Sequence, residues 1–394
     1  MAFLRRIENQ TLIAILLSAL LAAVFPAPFL KTEILGRVFL RLLKMVVAPL
    51  IFTSVFVSVA RLRDLRVIER LGLRTLLYYL GTTALSVLTG LLLVNLIKPA
   101  APLNFSGVPH LKTVSLADLL LGLFPENPFR SLARTEVLPL IFFALVLAAA
   151  SLRAGEKTES LRNFLEAANE ALLALTRGVI RLTPAGVFFL VGALVAREGL
   201  RPLLSLAEYA GTVILGLTIH GFVTLPLLLS LLARTPPFTY LASVREALLL
   251  AFSTASSSAT LPVTLEVAEE KARIRPEVAG FVLPLGSTVN MDGTALYEAV
   301  AAMFIAYSYG LSLSLSQQVL IFLTAVLASV GAAGIPSAGL VTMTMVLQSV
   351  GLPLEGIGLI LAVDRFLDML RTSVNVWGDL VGARIVQRWL YGEG

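Results

Sequence analysis

Long apolar stretches constrain the fold of this chain more than any other feature of its sequence. A bilayer core about 30 Å thick is crossed by roughly 20 apolar residues in a helix. Largely apolar stretches recur at 11–30, 39–59, 76–97, 137–151, 185–195 and 213–232. Charged residues make up only 14% of the 394 residues, whereas a soluble domain has about 25%. The pattern predicts an all-α integral membrane protein with several transmembrane helices.

Basic residues predict how the chain sits in the membrane. Arginines crowd the segment after the second apolar stretch, at positions 61, 63, 66, 70 and 74, and Arg-rich short loops stay cytoplasmic. We therefore expect a multi-pass protein of the cell (inner) membrane with its N- and C-termini in the cytoplasm. This topology explains the net charge of +6, so the lipid bilayer is an expected partner and nucleic acid is not.

The residue types needed for enzyme chemistry are scarce. The chain has no cysteine, which excludes thiolate metal sites and argues against a thiol nucleophile. Its two histidines, His110 and His220, are far apart in sequence and form no catalytic constellation, so neither is expected to be a ligand. We predict that the protein is not an enzyme and has no cofactor.

Two clusters of small and polar residues interrupt the apolar pattern after residue 242. They read Ser-Thr-Ala-Ser-Ser-Ser-Ala-Thr-Leu-Pro at 253–262 and Gly-Ala-Ala-Gly-Ile-Pro-Ser-Ala-Gly at 331–339. Irregular backbone at membrane depth is tolerated only where it is buried in protein or lines an aqueous cavity, so both are predicted tips of re-entrant hairpins. Each is followed by an apolar helix with an Asn-x-x-Gly interruption, at 290–293 and 375–378. Such pairs indicate an inverted-repeat transporter with its site near the membrane midplane.

Ionisable side chains form a stripe along the last apolar stretch, 352–386. From Asp368, spacings of three, four, seven and eleven place four further polar residues on the same helical face: Arg371, Thr372, Asn375 and Asp379. An Asp or Arg at a helix centre costs about 2.5 to 3.5 kcal/mol in lipid, so the stripe must face the protein interior or an aqueous path.

Two interpretations of this stripe remain open. In one, Asp368 and Arg371 only neutralise each other, although a buried ion pair is often no more stable than apolar residues. In the other, Arg371 binds a substrate carboxylate in a bidentate contact and Asp368 accepts hydrogen bonds from a substrate ammonium group. An amino acid with a second carboxylate satisfies both residues.

Other polar residues predict cation and anion sites. Asp292 and Asp379 each lie near an Asn and a Gly that expose backbone carbonyls, which is typical of oxygen ligands for hard cations. The serines at 256–258 fit a helix N-cap, and a half-helix that begins there also presents free N–H groups to an anionic ligand.

Four motifs carry a resemblance to a known family. They are Ser-Ser-Ser-Ala-Thr-Leu-Pro (256–262), Asn-Met-Asp-Gly-Thr (290–294), Gly-Ala-Ala-Gly-Ile-Pro (331–336) and Asp-Met-Leu-Arg-Thr-Ser-Val-Asn-Val-Trp-Gly-Asp (368–379). Together they resemble the signature set of the dicarboxylate/amino acid:cation symporter family, which includes archaeal aspartate transporters and mammalian excitatory amino acid transporters. The resemblance implies eight transmembrane helices, two re-entrant helical hairpins, inverted repeats, a homotrimer and elevator movement of a transport domain against a scaffold domain.

The resemblance also implies domain boundaries. Scaffold helices 1 and 2 are expected within 1–75 and scaffold helices 4 and 5 within 115–200. Helix 3 of the transport domain is expected at 76–98. The rest of that domain is expected at 205–394, with helices 6 to 8, hairpin 1 at about 242–270 and hairpin 2 at about 315–350.

The same resemblance assigns binding residues. Substrate residues would be Ser257, Thr294, Ile335, Gly339, Asp368, Arg371, Thr372 and Asn375. One sodium ion would use carbonyls of Gly286, Asn290 and Asn375 together with Asp379. A second would use carbonyls of Thr288, Ser329, Val330 and Ala332, and a third Tyr79, Thr82, Thr83, Asn290 and Asp292.

Two features depart from or extend the pattern. Many relatives have an arginine beside the binding site where this chain has Ala255 or Met369. Glu298 resembles the glutamate that carries a proton in mammalian members, and its alternative interpretation is a solvated or hydrogen-bonded helix residue. Proton coupling is therefore a hypothesis attached to Glu298.

The sequence thus predicts a symporter of L-glutamate or L-aspartate that is driven by a sodium gradient, with sodium as the coupling ion. Alternatives of the same fold are a proton-driven dicarboxylate symporter and a neutral amino acid symporter, and relatives of the second kind lack an arginine at position 371. An ion channel is a further alternative, but the chain has no repeated filter of the pore type.

Overall fold

The computed structural model describes residues 7–60, 71–101, 121, 124–134, 137–199, 201–330 and 338–392. The α-helices of this part are α1 (Ile7–Val24), α2 (Pro26–Ala60), α3 (Leu73–Ile97), α4 (Pro128–Arg134), α5 (Val137–Ala154), α6 (Glu159–Ile180), α7 (Thr183–Glu198) and α8 (Arg201–Ile219). They continue with α9 (Leu225–Ala233), α10 (Pro237–Thr254), α11 (Ser257–Glu266), α12 (Pro276–Val289), α13 (Asp292–Ser308), α14 (Leu315–Val330), α15 (Ala338–Val350) and α16 (Ile357–Tyr391). No strand is present among these residues, which agrees with the predicted all-α class.

Proline residues set the first helix boundary. The apolar stretch 11–30 predicts one helix, but α1 ends at Val24 and α2 begins at Pro26. Proline has no N–H to donate to the preceding turn and is accepted in the first turn of a new helix. The second predicted stretch, 39–59, is part of the 35-residue helix α2.

The first small-residue cluster breaks a helix where the sequence predicts it. Ala255 has a left-handed backbone (φ 48°) and ends α10, and Ser256 has an extended backbone (φ −145°) and precedes α11. The Ser256 hydroxyl accepts a hydrogen bond from the N–H of Ala259 at 3.2 Å, so Ser256 is an N-cap. Because α10 and α11 pack against each other across this two-residue break, the chain reverses direction here.

The second cluster also lies between two helices that pack against each other, α14 and α15. The connection between them, 331–337, lies outside the described residues. The predicted site residues Ile335 and Ala332 belong to this connection, and they stay predictions.

Only one of the two Asn-x-x-Gly motifs interrupts its helix. Asn290 has an extended backbone (φ −99°, ψ 96°) and separates α12 from α13. The predicted interruption at 375–378 is wrong, because α16 runs through it as one 35-residue helix. Gly378 instead allows close packing, since a Cβ atom there would lie 2.9 Å from Nδ2 of Asn290 and 3.1 Å from Oδ2 of Asp292.

Helix α13 lies at the centre of one packing group. Every residue from 292 to 306 is buried, and α13 packs against α3, α14, α15 and α16. The long helix α16 also packs against α8, α10 and α12. A second group forms around α2, which packs against α5, α6 and α7, while α7 also packs against α1.

The outside of the helical assembly is apolar. Leu92, Leu96 and Leu231 are 72%, 80% and 66% exposed, whereas many charged residues of α13 and α16 are buried. Within the described residues, three helical stretches are long and apolar enough to cross a membrane by length and composition: Leu73–Ile97, Pro139–Val179 and Ser205–Ala233. An apolar exterior around a polar interior is the arrangement of a multi-pass membrane protein.

Gly293 tests the contact between α13 and α16. A Cβ atom at Gly293 would lie 2.7 Å from the carbonyl oxygen and 2.9 Å from the Cα atom of Arg371, so backbone would have to move. We expect Gly293→Ala to cost about 1 to 3 kcal/mol through overpacking and to lower the thermal unfolding temperature by several degrees. The measurement is thermal unfolding of the purified protein in detergent.

Gly280 provides the matched control for this substitution. It lies within α12 and is exposed, and a Cβ atom added there would have no heavy atom within 4 Å. Gly280→Ala should unfold at the wild-type temperature or above it, because alanine is favoured over glycine in a helix by up to about 1 kcal/mol. Equal unfolding temperatures for the two variants would contradict the proposed close contact.

Candidate functional site

Arg371 is the centre of the first polar cluster and is fully buried. Its Nη2 donates to Oδ1 of Asp368 at 2.8 Å and its Nη1 donates to Oδ1 of Asp364 at 3.1 Å. The guanidinium carbon lies 3.7 Å from the ring centroid of Tyr297, a cation–π contact. The pairing of Asp368 with Arg371 is therefore present, and Asp364 and Tyr297 hold the arginine as well.

Three helices meet at this arginine. Gly339 of α15 has no side chain, and a Cβ atom there would lie 3.4 Å from Nη2 of Arg371 and 3.3 Å from Cγ2 of Thr294. The Nε of Arg371 is buried without a hydrogen-bond partner in the part of the chain that the structure describes. The guanidinium group thus keeps donor capacity beyond its two carboxylates.

Asn375 joins the helix break at 290–291 to α16. Its Oδ1 accepts a hydrogen bond from the N–H of Gly293 at 2.7 Å, and its Nδ2 lies 3.3 Å from Oγ1 of Thr294. Thr372 is buried on the same helix, and Ser257 is buried at the start of α11, which packs against α16. The structure thus brings Thr294, Gly339, Asp368, Arg371 and Asn375 into one region.

Asp292 is the centre of the second polar cluster and is fully buried. Its Oδ1 accepts hydrogen bonds from the hydroxyls of Thr83 at 2.7 Å and Thr82 at 3.3 Å. Its backbone carbonyl accepts a hydrogen bond from the Ser86 hydroxyl at 2.8 Å. Helix α3 therefore supplies three hydroxyl groups to the first turn of α13. The predicted third cation site needs Thr82 and Thr83 beside Asp292, and both lie there.

Asp379 lies beside this cluster and is also buried. Its Oδ1 accepts a hydrogen bond from Nδ2 of Asn290 at 2.9 Å. A side chain at Gly286 would overlap the Asp379 carboxylate and the Tyr79 hydroxyl, so these groups crowd together. The Tyr79 hydroxyl donates to the carbonyl of Val282 at 2.8 Å.

The donor set of this second cluster fits a hard cation. It contains two buried carboxylates and several hydroxyl and carbonyl oxygens, the ligands that such cations prefer. The Oδ1 of Asn290 is buried without a partner among the described residues, and a buried oxygen with no donor is unfavourable. A cation would supply the missing interaction.

The predicted site of the second sodium ion is described in part. Ser329 and Val330 are buried at the end of α14, Thr288 lies in the last turn of α12, and these two helices contact each other. Ala332 lies outside the described residues. The use of their carbonyls for a cation stays a prediction.

Glu298 is enclosed in the interior of α13 and is fully buried. Its Oε1 accepts a hydrogen bond from the Thr342 hydroxyl of α15. Its Oε2 is buried without a partner among the described residues. Glu298 is therefore not a solvated helix residue. It is hydrogen-bonded through Oε1, but this hydrogen bond leaves Oε2 unused.

Sequence reasoning missed His220. Its Nε2 lies 3.0 Å from Oδ2 of Asp292, and both side chains are fully buried. The π-helical turn His220–Thr224 joins α8 to α9 and carries the ring to this position, and the Trp377 indole donates to the carbonyl of Gly221 at 2.9 Å. The available signal was a histidine inside the apolar stretch 213–232, because a polar residue within a transmembrane helix is by default a functional candidate.

This chain has broken helices, and they hold buried charged side chains inside an apolar exterior. Both features are characteristic of secondary transporters. The chain belongs to the sodium:dicarboxylate symporter family, whose sequence profile matches residues 7–389. This confirms the family predicted from the motifs.

Three members of known function are similar to this chain over most of its length. Excitatory amino acid transporter 3 of Mus musculus is 39% identical over 409 residues, which cover 90% of this chain and 78% of the relative. Excitatory amino acid transporter 1 of Ambystoma tigrinum is 35% identical over 413 residues, 89% of this chain and 76% of the relative. A proton/sodium-glutamate symport protein of Geobacillus stearothermophilus is 32% identical over 395 residues, 96% of this chain and 93% of the relative.

Two substitutions of His220 test its contact with Asp292. His220→Leu removes the donor to Oδ2 of Asp292, and an unsatisfied buried acceptor costs about 1 to 3 kcal/mol, or more when it is charged. We expect a thermal unfolding temperature several degrees below that of the wild type in detergent. His220→Gln keeps an N–H donor and should lose less. If both variants unfold at the wild-type temperature, the contact does not hold Asp292.

Proposed function

We propose that this protein is a sodium-driven symporter of acidic amino acids, with L-glutamate and L-aspartate as substrates. The observation that carries the proposal is Arg371, a fully buried arginine with donor capacity left, beside a second buried cluster of carboxylates that fits a cation. An anion site and a cation site in one membrane-spanning interior are what ion-coupled uptake of an acidic solute requires. The functions that the relatives are named for, glutamate symport and excitatory amino acid transport, support the same substrate class.

Arg371 would bind the side-chain carboxylate of the amino acid. Its planar guanidinium is suited to a carboxylate, and Thr294 and Gly339 lie beside it. Asp368 would accept hydrogen bonds from the ammonium group, and the main-chain carboxylate would lie near the N-terminus of α11, where Ser257 is buried. Thr372, Asn375 and Ile335 complete the proposed set.

Sodium ions would enter with the substrate as coupled ions. One ion would be held by Asp292 and Asn290 together with Tyr79, Thr82 and Thr83. Another would be held by Asp379 with carbonyls of Gly286, Asn290 and Asn375. Asn375 contacts Gly293 and Thr294 near the break at 290–291, so an ion that orders this break also orders the amino acid site. By linkage each ligand then raises the affinity of the other.

The packing groups support a division into a moving and a static part. The group around α13 and α16, with α3, α8 to α12, α14 and α15, would be the transport domain, and α1, α2 and α4 to α7 the scaffold domain. We propose elevator movement of the first against the second, re-entrant hairpins at α10–α11 and α14–α15, and a homotrimer in the cell (inner) membrane with cytoplasmic termini.

Uptake into proteoliposomes tests the proposal directly. Labelled L-aspartate and L-glutamate are offered under an imposed inward sodium gradient, an inward proton gradient, or neither. We expect accumulation of an acidic amino acid that requires sodium. Accumulation of succinate alone under a proton gradient, or of L-alanine in place of the acidic substrates, would instead support one of the alternative symporters of this fold.

Arg371→Ala should impair aspartate binding, and Asp379→Asn should impair sodium binding. Loss of one partner of a buried charge pair costs about 3 to 5 kcal/mol, so Arg371→Ala should weaken aspartate binding by about a hundredfold or more. It should keep the rise of the unfolding temperature that sodium produces in the wild type. Asp379→Asn should lose much of that rise and should bind aspartate only at a higher sodium concentration.

These two variants control for each other, because Arg371→Ala keeps the sodium effect on unfolding and Asp379→Asn still binds aspartate once the sodium concentration is raised. Unchanged aspartate affinity in folded Arg371→Ala protein would remove Arg371 from the substrate site. An unchanged sodium effect in Asp379→Asn would remove Asp379 from the cation site.

Glu298→Gln tests proton coupling. Glutamine keeps the shape of the side chain and can pair with Thr342, but it does not bind or release a proton. If Glu298 carries a proton, wild-type uptake should acidify the liposome lumen and depend on pH, and the variant should lose both properties while it still exchanges substrate. Wild-type uptake without proton movement would make Glu298 a structural residue.

A further inference from the structure

Asp368 lies between two arginines of its own helix. Nη2 of Arg371 donates to Oδ1 of Asp368 at 2.8 Å, and Nη1 of Arg365 lies 3.7 Å from Oδ2 of the same carboxylate. The Arg371 side chain is fully buried, whereas the Arg365 side chain is 16% exposed. The two oxygens of Asp368 therefore face two different cations.

Helix geometry places these arginines on opposite sides of Asp368. Each residue of an α-helix advances about 100°, so Arg365 and Arg371 lie about 60° to either side of Asp368. Asp364 lies on the Arg371 side and pairs with Arg371 at 3.1 Å. Arg365 therefore lies on the opposite side of Asp368 from Arg371 and Asp364.

The two arginines differ in burial and in their distance from Asp368. Arg371 has two carboxylate partners and the face of Tyr297, and it has no contact with solvent. Arg365 has a longer ion pair with Asp368 and a side chain that reaches the surface. When a third cation approaches Asp368, Arg365 is the residue that can move away.

An amino acid brings such a cation. We infer that Arg365 is the internal counter-cation of Asp368, and that the ammonium group of a bound amino acid takes its place at Oδ2. This inference rests on the proposed function, in which Asp368 receives the substrate ammonium group. It adds a positioning residue that acts on the substrate through Asp368.

The exchange of cations has a consequence for the transport cycle. When the amino acid leaves, Arg365 pairs with Asp368 again, so the transport domain does not return across the membrane with Asp364 and Asp368 sharing Arg371 alone, which would leave one buried negative charge uncompensated. Such a charge is strongly unfavourable in a low-dielectric interior. With an amino acid bound, the ammonium group pairs with Asp368 and Arg365 is not needed.

Two measurements on proteoliposomes separate these steps. Net uptake of labelled L-aspartate requires the transport domain to return without amino acid, whereas exchange against internal L-aspartate does not. Arg365→Gln removes the positive charge, and we expect net uptake to fall by about tenfold or more while exchange continues. Arg365→Lys keeps the charge and should restore net uptake.

Continued exchange also shows that the Arg365→Gln protein is folded. Arg388→Gln, in the last turn of the same helix, is the matched control and should change neither rate. Equal loss of uptake and exchange in Arg365→Gln would show a structural role and overturn the inference, as would unchanged net uptake or an Arg365→Lys variant as slow as Arg365→Gln.

Failure of the proposed function is seen separately, in the wild type. Wild-type protein that exchanges succinate but neither L-aspartate nor L-glutamate would overturn the proposed function without any variant. The inference on Arg365 would fall with it, because no ammonium group would then reach Asp368.

Discussion

The structure depends on the burial of one positive charge. An arginine in the interior of a membrane protein is tolerated only when its charge is paired and its donors are used. Asp364 and Asp368 meet this need from the preceding turns of α16, and Tyr297 of α13 covers the guanidinium face. Because these partners come from two helices, the position of α13 against α16 is tied to Arg371.

Small residues make that position possible. Gly293 brings the backbone of α13 against the backbone of Arg371, and Gly378 allows α16 to approach Asn290 and Asp292. Asn375 then bonds to the N–H of Gly293 across the same contact. The N–H of Gly293 therefore has a partner on α16 and the carbonyl of Asp292 has one on α3, and the break is buried in protein, which is the condition for irregular backbone at membrane depth.

Much of this arrangement could be predicted from the sequence, and the failures have physical causes. The break at Ala255 and the N-cap at Ser256 follow from local residue types, as do the break at Asn290 and the stripe on α16. The interruption at Gly378 was wrongly predicted because a glycine can serve either a break or a close contact, and only the neighbouring helix decides which. The contact of His220 with Asp292 joins residues 72 positions apart, and the cover of Arg371 by Tyr297 likewise depends on tertiary packing.

The unbroken course of α16 has a mechanical meaning. Eleven residues separate Asp368 from Asp379, which corresponds to about 16 Å along the axis of a helix. An uninterrupted α-helix resists stretching and bending over such a length, so the carboxylate near the guanidinium and the carboxylate near Asn290 keep a fixed spacing. In the proposed function, a solute bound near one carboxylate and an ion bound near the other would therefore move together, at a constant separation, with one rigid helix.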